Sequence, residues 1–242
     1  MSATLSGKVR SQIEKTVAEY AARYDSFLHF ARRVRDEFLD NAEFMQLVHS
    51  IRVRAKEVTH LADKLTRKAV DATTSRQKFD ITPDNLFQRV CDLAGVRILH
   101  IHTQQLCQIH PKLLEVLKHY KHTVVDQIAY TWDTENTTLF QRLGIRTEDK
   151  PSLYTSLHII IRPFHDDIRC EIQVRTLAEE LWGEVSHKID YPHATESVAC
   201  TEQLLALARS TSACTRLVDS LFASREEHRQ FVEKITALQK KH

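Results

Sequence analysis

Glycine is scarce in this chain of 242 residues: there are four (Gly7, Gly95, Gly144 and Gly183), and no two lie close together. That scarcity excludes a G-x-x-x-x-G-K loop and a G-x-G-x-x-G turn, both of which cradle phosphates on bare backbone. A bound phosphate would have to be held by lysine and arginine side chains and a metal ion instead. Long apolar runs are missing too, since none approaches the roughly 18 residues of a membrane span. The amino-terminal MSATLSGKVRSQIEKT is polar and lacks the apolar stretch of a secretory signal. The five cysteines (Cys91, Cys107, Cys170, Cys200 and Cys214) are odd in number, widely spaced and without a C-x-x-C pair. Neither a disulfide framework nor a zinc site is therefore expected. These absences lead to an expected cytoplasmic location with no membrane partner. Charge excludes little, because a net +2 leaves only local arguments. With 42% hydrophobic and 27% charged residues, the chain can bury a core as one domain or two small ones.

What is present alternates between helical and strand patterns. Residues 6–70 read as helix, and Tyr20, Tyr24, Phe27, Phe30, Ala31 and Val34 recur at spacings of three and four to make an apolar stripe. Thr73 to Lys78 reads as a polar loop, and Thr82-Pro83-Asp84 as the start of a helix carrying Leu86, Phe87 and Val90. Gly95 ends that helix, and Val96 to Ile101 reads as a strand. Pro111 to Tyr120 reads as helix, and Ala129 to Lys150 as a polar, irregular loop over a site. Leu157–Pro163 and Arg169–Arg175 read as neighbouring strands joined by a turn at Phe164-His165-Asp166-Asp167. Helix returns from Leu177, and Glu202 onward is amphipathic through Leu204, Leu205, Leu207 and Ala208. Strands set between helices predict an α+β class.

The second of those strands, R-C-E-I-Q-V-R-T, carries the strongest chemical signal. Alternation puts Glu171, Gln173 and Arg175 on one face and Cys170, Ile172 and Val174 on the other. Such a face suits a polar ligand, and it equally suits the solvated side of an edge strand. Asp92 enters a second strand that carries Arg97, in D-L-A-G-V-R-I-L. Two carboxylates held on separate strands are a usual way to hold Mg²⁺, although Asp92 alone also fits a turn. Cations accumulate between Arg52 and Lys78, with Arg54, Lys56 and Lys64 forming R-x-K plus a later lysine. On one helix, Lys56 and Lys64 would lie about 80° apart, within reach of each other. A solvated helix face would show the same charges. Tyr154, just before a strand, suits either stacking on a base or anchoring the strand. His158 suits either a phosphate contact or a satisfied core histidine.

The order of these motifs resembles the RelA/SpoT synthetase domain: R-x-K with a later Lys, D-L-A-G-V-R, K-P-x-x-Y-x-S-L-H, E-I-Q-V-R-T, then L-W-G-E-V-S-H-K-I-D-Y. Each is weak alone, and five in order are specific; they cover Arg54 to Tyr191. The resemblance implies a nucleotidyltransferase-like mixed sheet flanked by helices, divided as a helical extension (1–50), a synthetase domain (51–195) and a second helical extension (196–242). It implies transfer of the β,γ-pyrophosphate of ATP to the 3′-hydroxyl of GDP or GTP, as in small alarmone synthetases. Arg54, Lys56, Lys64 and Arg97 would hold ATP; Asp92 would bind Mg²⁺, and Glu171 would bind the metal or accept the hydroxyl proton, the two carrying catalysis. Tyr154 would stack on the acceptor base, with Lys150, His158, Gln173 and Arg175 shaping its pocket.

The chain departs from the family pattern chiefly in the acceptor loop. The usual Asn-Gly before the tyrosine and Arg after it are Ser152, Leu153 and Thr155 here. His60 replaces a usual Ser, and Pro192 a usual Lys. An altered loop suits another 3′-hydroxyl, so the 3′ end of tRNA is the alternative acceptor. A catalytically silent nucleotide-binding regulator is the other alternative, against which the intact acid pair argues. Hydrolase activity is not expected from the lone His165-Asp166. Homo-oligomerisation through the terminal helices is a further expectation.

Overall fold

A computed structural model describes residues 5–163, 168–190 and 195–239. The expected turn at Phe164–Asp167, with its His165-Asp166, lies outside them, as do Tyr191 and Pro192. The chain begins with α1 (Gly7–Leu39), whose first turn is capped by Ser6 accepting from the Val9 amide. The predicted stripe is real: Tyr20, Phe27, Phe30, Ala31 and Val34 are buried. After the short α2 (Ala42–Leu47) the single long helix expected over 6–70 fails. Ser50–Ala55 is a strand, β1, and only Val58–Thr74 resumes as helix, α3. The reason lies in S-I-R-V-R-A: β-branched Ile51 and Val53 alternate with Arg52 and Arg54, and a period of two suits a pleat.

The helix expected at Thr82 is also shorter than read, with α4 spanning only Leu86–Arg89. Asn85 explains the delay, because its side chain accepts from the Thr82 amide and donates to the Asp80 carbonyl. That local turn competes with the helix. Then come β2 (Ala94–His100), a 3-10 turn (Thr103–Gln105) and α5 (Leu106–His119). The expected loop over Ala129–Lys150 is instead the end of β3 (Thr123–Tyr130), helix α6 (Thr134–Arg142) and the short β4 (Arg146–Glu148). Asp133 supplies the missed start signal, accepting from the Glu135 and Asn136 amides as an N-cap. The two expected strands stand as β5 (Ser156–Arg162) and β6 (Cys170–Thr176), followed by α7 (Leu177–Asp190) and α8 (Val198–Gln239). Thr176 and Glu179 form a reciprocal capping box at the entry to α7.

The six strands make one mixed sheet in the order β1-β2-β6-β5-β3-β4. β2 and β6 are parallel, while β1 and β5 run antiparallel to their neighbours β2 and β6. Alternation divides the sheet into two faces. Val96, Ile98, Ile159, Ile161, Ile172 and Val174 are all buried in one core with Tyr20 and Phe27 of α1, Leu61 and Leu65 of α3, and Ile109 and Leu113 of α5. The other face is polar and lies beneath α7.

Candidate active site

Strand register lays out the polar face in rows. Arg54 lies opposite Gly95, which lies opposite Glu171; one row on, Arg52, Arg97, Gln173 and His158 stand abreast. Gly95 leaves a gap in the floor between Arg54 and Glu171. Over this floor α7 and the loop before β5 close a cleft of about 610 Å³, lined among others by Arg54, Arg97, Tyr154, Gln173, Arg175 and His187. A larger groove of about 720 Å³ between α5 and β3, lined by Leu114, Leu117 and Val124, lies apart from the acid pair. Charge chemistry therefore concentrates at the cleft.

Asp92 ends the turn before β2 and is gripped by two lysines. Lys64 donates to both of its oxygens at 2.8 Å, and Lys56 lies 3.0 Å away. Lys56 sits at the end of β1 and Lys64 on α3, so their meeting does not come from one helical face. It comes from the strand-to-helix turn, fixed from below by the buried Tyr20 hydroxyl donating to the Lys56 carbonyl at 2.6 Å. Burial pushes the Asp92 acid up, but the two ammonium groups outweigh it and hold its pKa at about 2.

Glu171 is engaged at both oxygens. His158 Nδ1 lies 2.9 Å from Oε1, and Gln173 donates to Oε2 at 2.7 Å. Tyr154 extends the chain, its hydroxyl 2.9 Å from His158 Nε2. Burial raises the Glu171 acid and the Asp92 charge adds to that, yet the His158 and Gln173 bonds prevail and its pKa falls below the usual carboxylate range.

Tyr154 is enclosed by Tyr130, His158 and Trp182, with ring centroids 5.7–6.1 Å away. Lys150 sits 4.3 Å over the Tyr130 ring and pairs with Glu148, one aromatic ring removed from Tyr154. Leu153, where the family pattern has glycine, adopts a φ of +60°. A left-handed backbone at a leucine costs roughly 1–2 kcal/mol, which a glycine there would not incur. Trp182 is buried and donates to the Leu204 carbonyl at 2.9 Å, tying α7 to α8.

Sequence reading missed the acidic side of the cleft. Arg97 donates to Glu180 and Glu184, each at 2.7 Å, and Arg175 lies 2.7 Å from the other oxygen of Glu180. The signal was E-E-L-W-G-E, which sets Glu180 and Glu184 four apart on one helix face. His60 and His187, with ring centroids 6.1 Å apart, also border the cleft. Arg54 has no ion-pair partner among the described residues.

The donor set suits a hard divalent ion. Asp92 and Glu171 offer oxygen ligands with lone pairs to spare beyond their present bonds. Among the described residues no cluster of three or more His, Cys, Asp or Glu side chains could hold a metal alone. Such an ion would complete its shell with water and substrate oxygens, as magnesium does.

A six-stranded mixed sheet flanked by helices, with one packed apolar face and one polar face, is a nucleotidyltransferase-like fold. Residues 53–196 match the family described as a region found in RelA/SpoT proteins. The chain belongs to that family. Among relatives, GTP pyrophosphokinase YwaC of Bacillus subtilis is 27% identical over 144 residues, covering 57% of this chain and 56% of YwaC. GTP pyrophosphokinase YjbM of the same organism is 26% identical over 180 residues, covering 72% of this chain and 70% of YjbM. Smu.1046c from Streptococcus mutans has the same fold, with a TM-score of 0.63 at 17% identity over 87% of this chain and 98% of that one. No helix among the described residues is long and apolar enough to cross a membrane.

Proposed function

We propose that the protein is a GTP/GDP pyrophosphokinase: it transfers the β,γ-pyrophosphate of ATP to the ribose 3′-hydroxyl of GDP or GTP, giving (p)ppGpp and AMP. The observation that supports this reading best is the polar face of the sheet, where Glu171 stands in register between Gly95 of β2 and Ile160 of β5, one row from the cleft-lining Arg97 and Gln173, with Asp92 held by Lys56 and Lys64 just before β2. Family membership and the names of the two relatives point the same way. The 3′-oxygen forms a bond to the β-phosphorus and releases its proton to solvent, the bond from that phosphorus to the α,β-bridging oxygen breaks, and AMP leaves with the electron pair. Such a transfer needs alignment and charge neutralisation more than covalent help.

Asp92 and Glu171 would hold Mg²⁺, which when bound neutralises phosphate charge and orients the phosphate chain. Against the pull of burial, the His158 and Gln173 bonds lower the Glu171 pKa and favour its charged form, which suits metal holding. Arg54, free of an ion-pair partner among the described residues, is poised for the donor phosphates, with Lys56, Lys64 and Arg97 around it. Tyr154, with Lys150, His158, Gln173 and Arg175 beside it, would form the acceptor side. The catalytic unit is residues 51–195, with 1–50 and 196–242 as helical extensions.

The test is incubation with γ-labelled ATP and Mg²⁺ together with GDP, GTP or bulk tRNA in separate reactions. Label on GDP or GTP is expected. Label confined to tRNA would move the acceptor to a tRNA 3′ end, and label on none would make the chain a silent nucleotide binder.

A further inference from the structure

Three guanidinium groups from three adjacent strands converge on one carboxylate. Glu180, on the first turn of α7, lies 2.7 Å from Arg97 (β2), 2.7 Å from Arg175 (β6) and 3.6 Å from Arg52 (β1). Its side chain is 8% exposed. Arg97 is also held by Glu184, one turn on and 53% exposed, at 2.7 Å. The helix is shaped to fit: a Cβ at Gly183 would stand 2.5 Å from Arg175 Nη1. The missing side chain therefore gives Arg175 room to lie against α7.

The Arg175–Glu180 contact is an ion pair without hydrogen-bond alignment. It leaves Arg175 Nε as a buried donor with no hydrogen bond among the described residues. Three like charges on neighbouring strands repel one another, and a single buried anion between them fixes their spacing. Arg97 and Arg175 both line the cleft, and the proposed function gives the first to the donor and the second to the acceptor. From this geometry we infer that Glu180 is a positioning residue for both nucleotides, aiming Arg52 and Arg97 at one and Arg175 at the other. Glu184 positions Arg97 alone. The inference rests on the proposed function for which nucleotide is which, but not for the existence of the array.

A group that aims others shows itself in binding and rate more than in folding, since displacement by about 1 Å is enough to lose on the order of 10²-fold. The experiment compares Glu180→Gln, Glu180→Asp and Glu184→Gln with the unaltered chain by steady-state kinetics, with direct calorimetric binding of ATP and of GDP in the presence of Mg²⁺. Glu180→Gln should raise KM for both substrates at least tenfold and weaken both binding constants, with part of the loss restored in Glu180→Asp. Glu184→Gln should raise KM for ATP about threefold and leave the acceptor KM unchanged. Unchanged substrate affinities in Glu180→Gln, or a lowered melting temperature as its only effect, would overturn the inference. If Glu180→Gln does not fold, the exposed Glu184 decides: an ATP-only effect supports the array, and no effect overturns it. Calorimetry separates this from the function itself, because a chain that transfers nothing can still lose nucleotide binding when Glu180 is changed.

Discussion

The two faces of the central sheet are built from the same strands and obey opposite rules. On β6, Ile172 and Val174 are buried in the core shared with α1, while Glu171, Gln173 and Arg175 lie on the opposite, polar face, where Gln173 and Arg175 line the cleft. The apolar face gains from excluding water and tolerates exchange of similar volumes. The polar face holds charges against each other at hydrogen-bond distances, so each member matters through its partners. The difference teaches that stability and chemistry here are separable one residue at a time. Substitutions at adjacent positions of β6 should have nearly orthogonal effects.

The sharpest test of that separation is Glu171→Gln. Pyrophosphate transfer should fall about 100- to 1000-fold, roughly 3–4 kcal/mol of barrier, with an unchanged melting curve. One residue along, Ile172→Ala should do the reverse. It should lower unfolding free energy by about 2–4 kcal/mol in urea titration while the folded fraction keeps its turnover. Loss of turnover per folded molecule in Ile172→Ala would break the comparison.

A smaller effect concerns pH. Asp92 has a folded pKa of about 2, depressed below its ordinary 3.8 by Lys64 and Lys56 against the pull of burial. Its stabilisation is therefore complete above pH 3.8 and is lost as pH falls through about 2. Urea unfolding across that window should show a loss on the order of 1–2 kcal/mol. The loss should be visibly smaller in Lys64→Met. Smallest in stability terms is Gly183→Ala, where the gain of about 1 kcal/mol in helix propensity is offset by displacement of the buried Arg175, so the melting temperature should change little. It should nonetheless raise the acceptor KM several-fold by displacing Arg175. Unaltered kinetics would show that Arg175 has room to move without consequence.

How much of this was visible in the residues differs by element. The α1 stripe, β2, β5 and β6 were readable because their periodicities run uninterrupted. β1 was hidden because R-V-R-A-K carries as many charges as a helix face, and only Ile51 and Val53 mark the pleat. The region Ala129–Lys150 lost β3, α6 and β4 because its polar residues mask the Asp133 cap. Within the candidate site, motif order singled out the acids and cations that the proposed function uses. Their partners were not legible: that Glu180 reaches Arg52, Arg97 and Arg175 is set by how α7 lies across three strands, which no local spacing encodes. The left-handed Leu153 lies at a departure from the family pattern, where glycine would adopt that backbone without strain.

The pleat of β6 also limits what its gene can tolerate. Inserting one codon between Cys170 and Arg175 would rotate every later side chain by half a turn, driving a guanidinium and an amide into the packed interior and isoleucine and valine into the cleft. Only changes that preserve parity leave both halves intact, so this strand can be lengthened in pairs of residues and never singly.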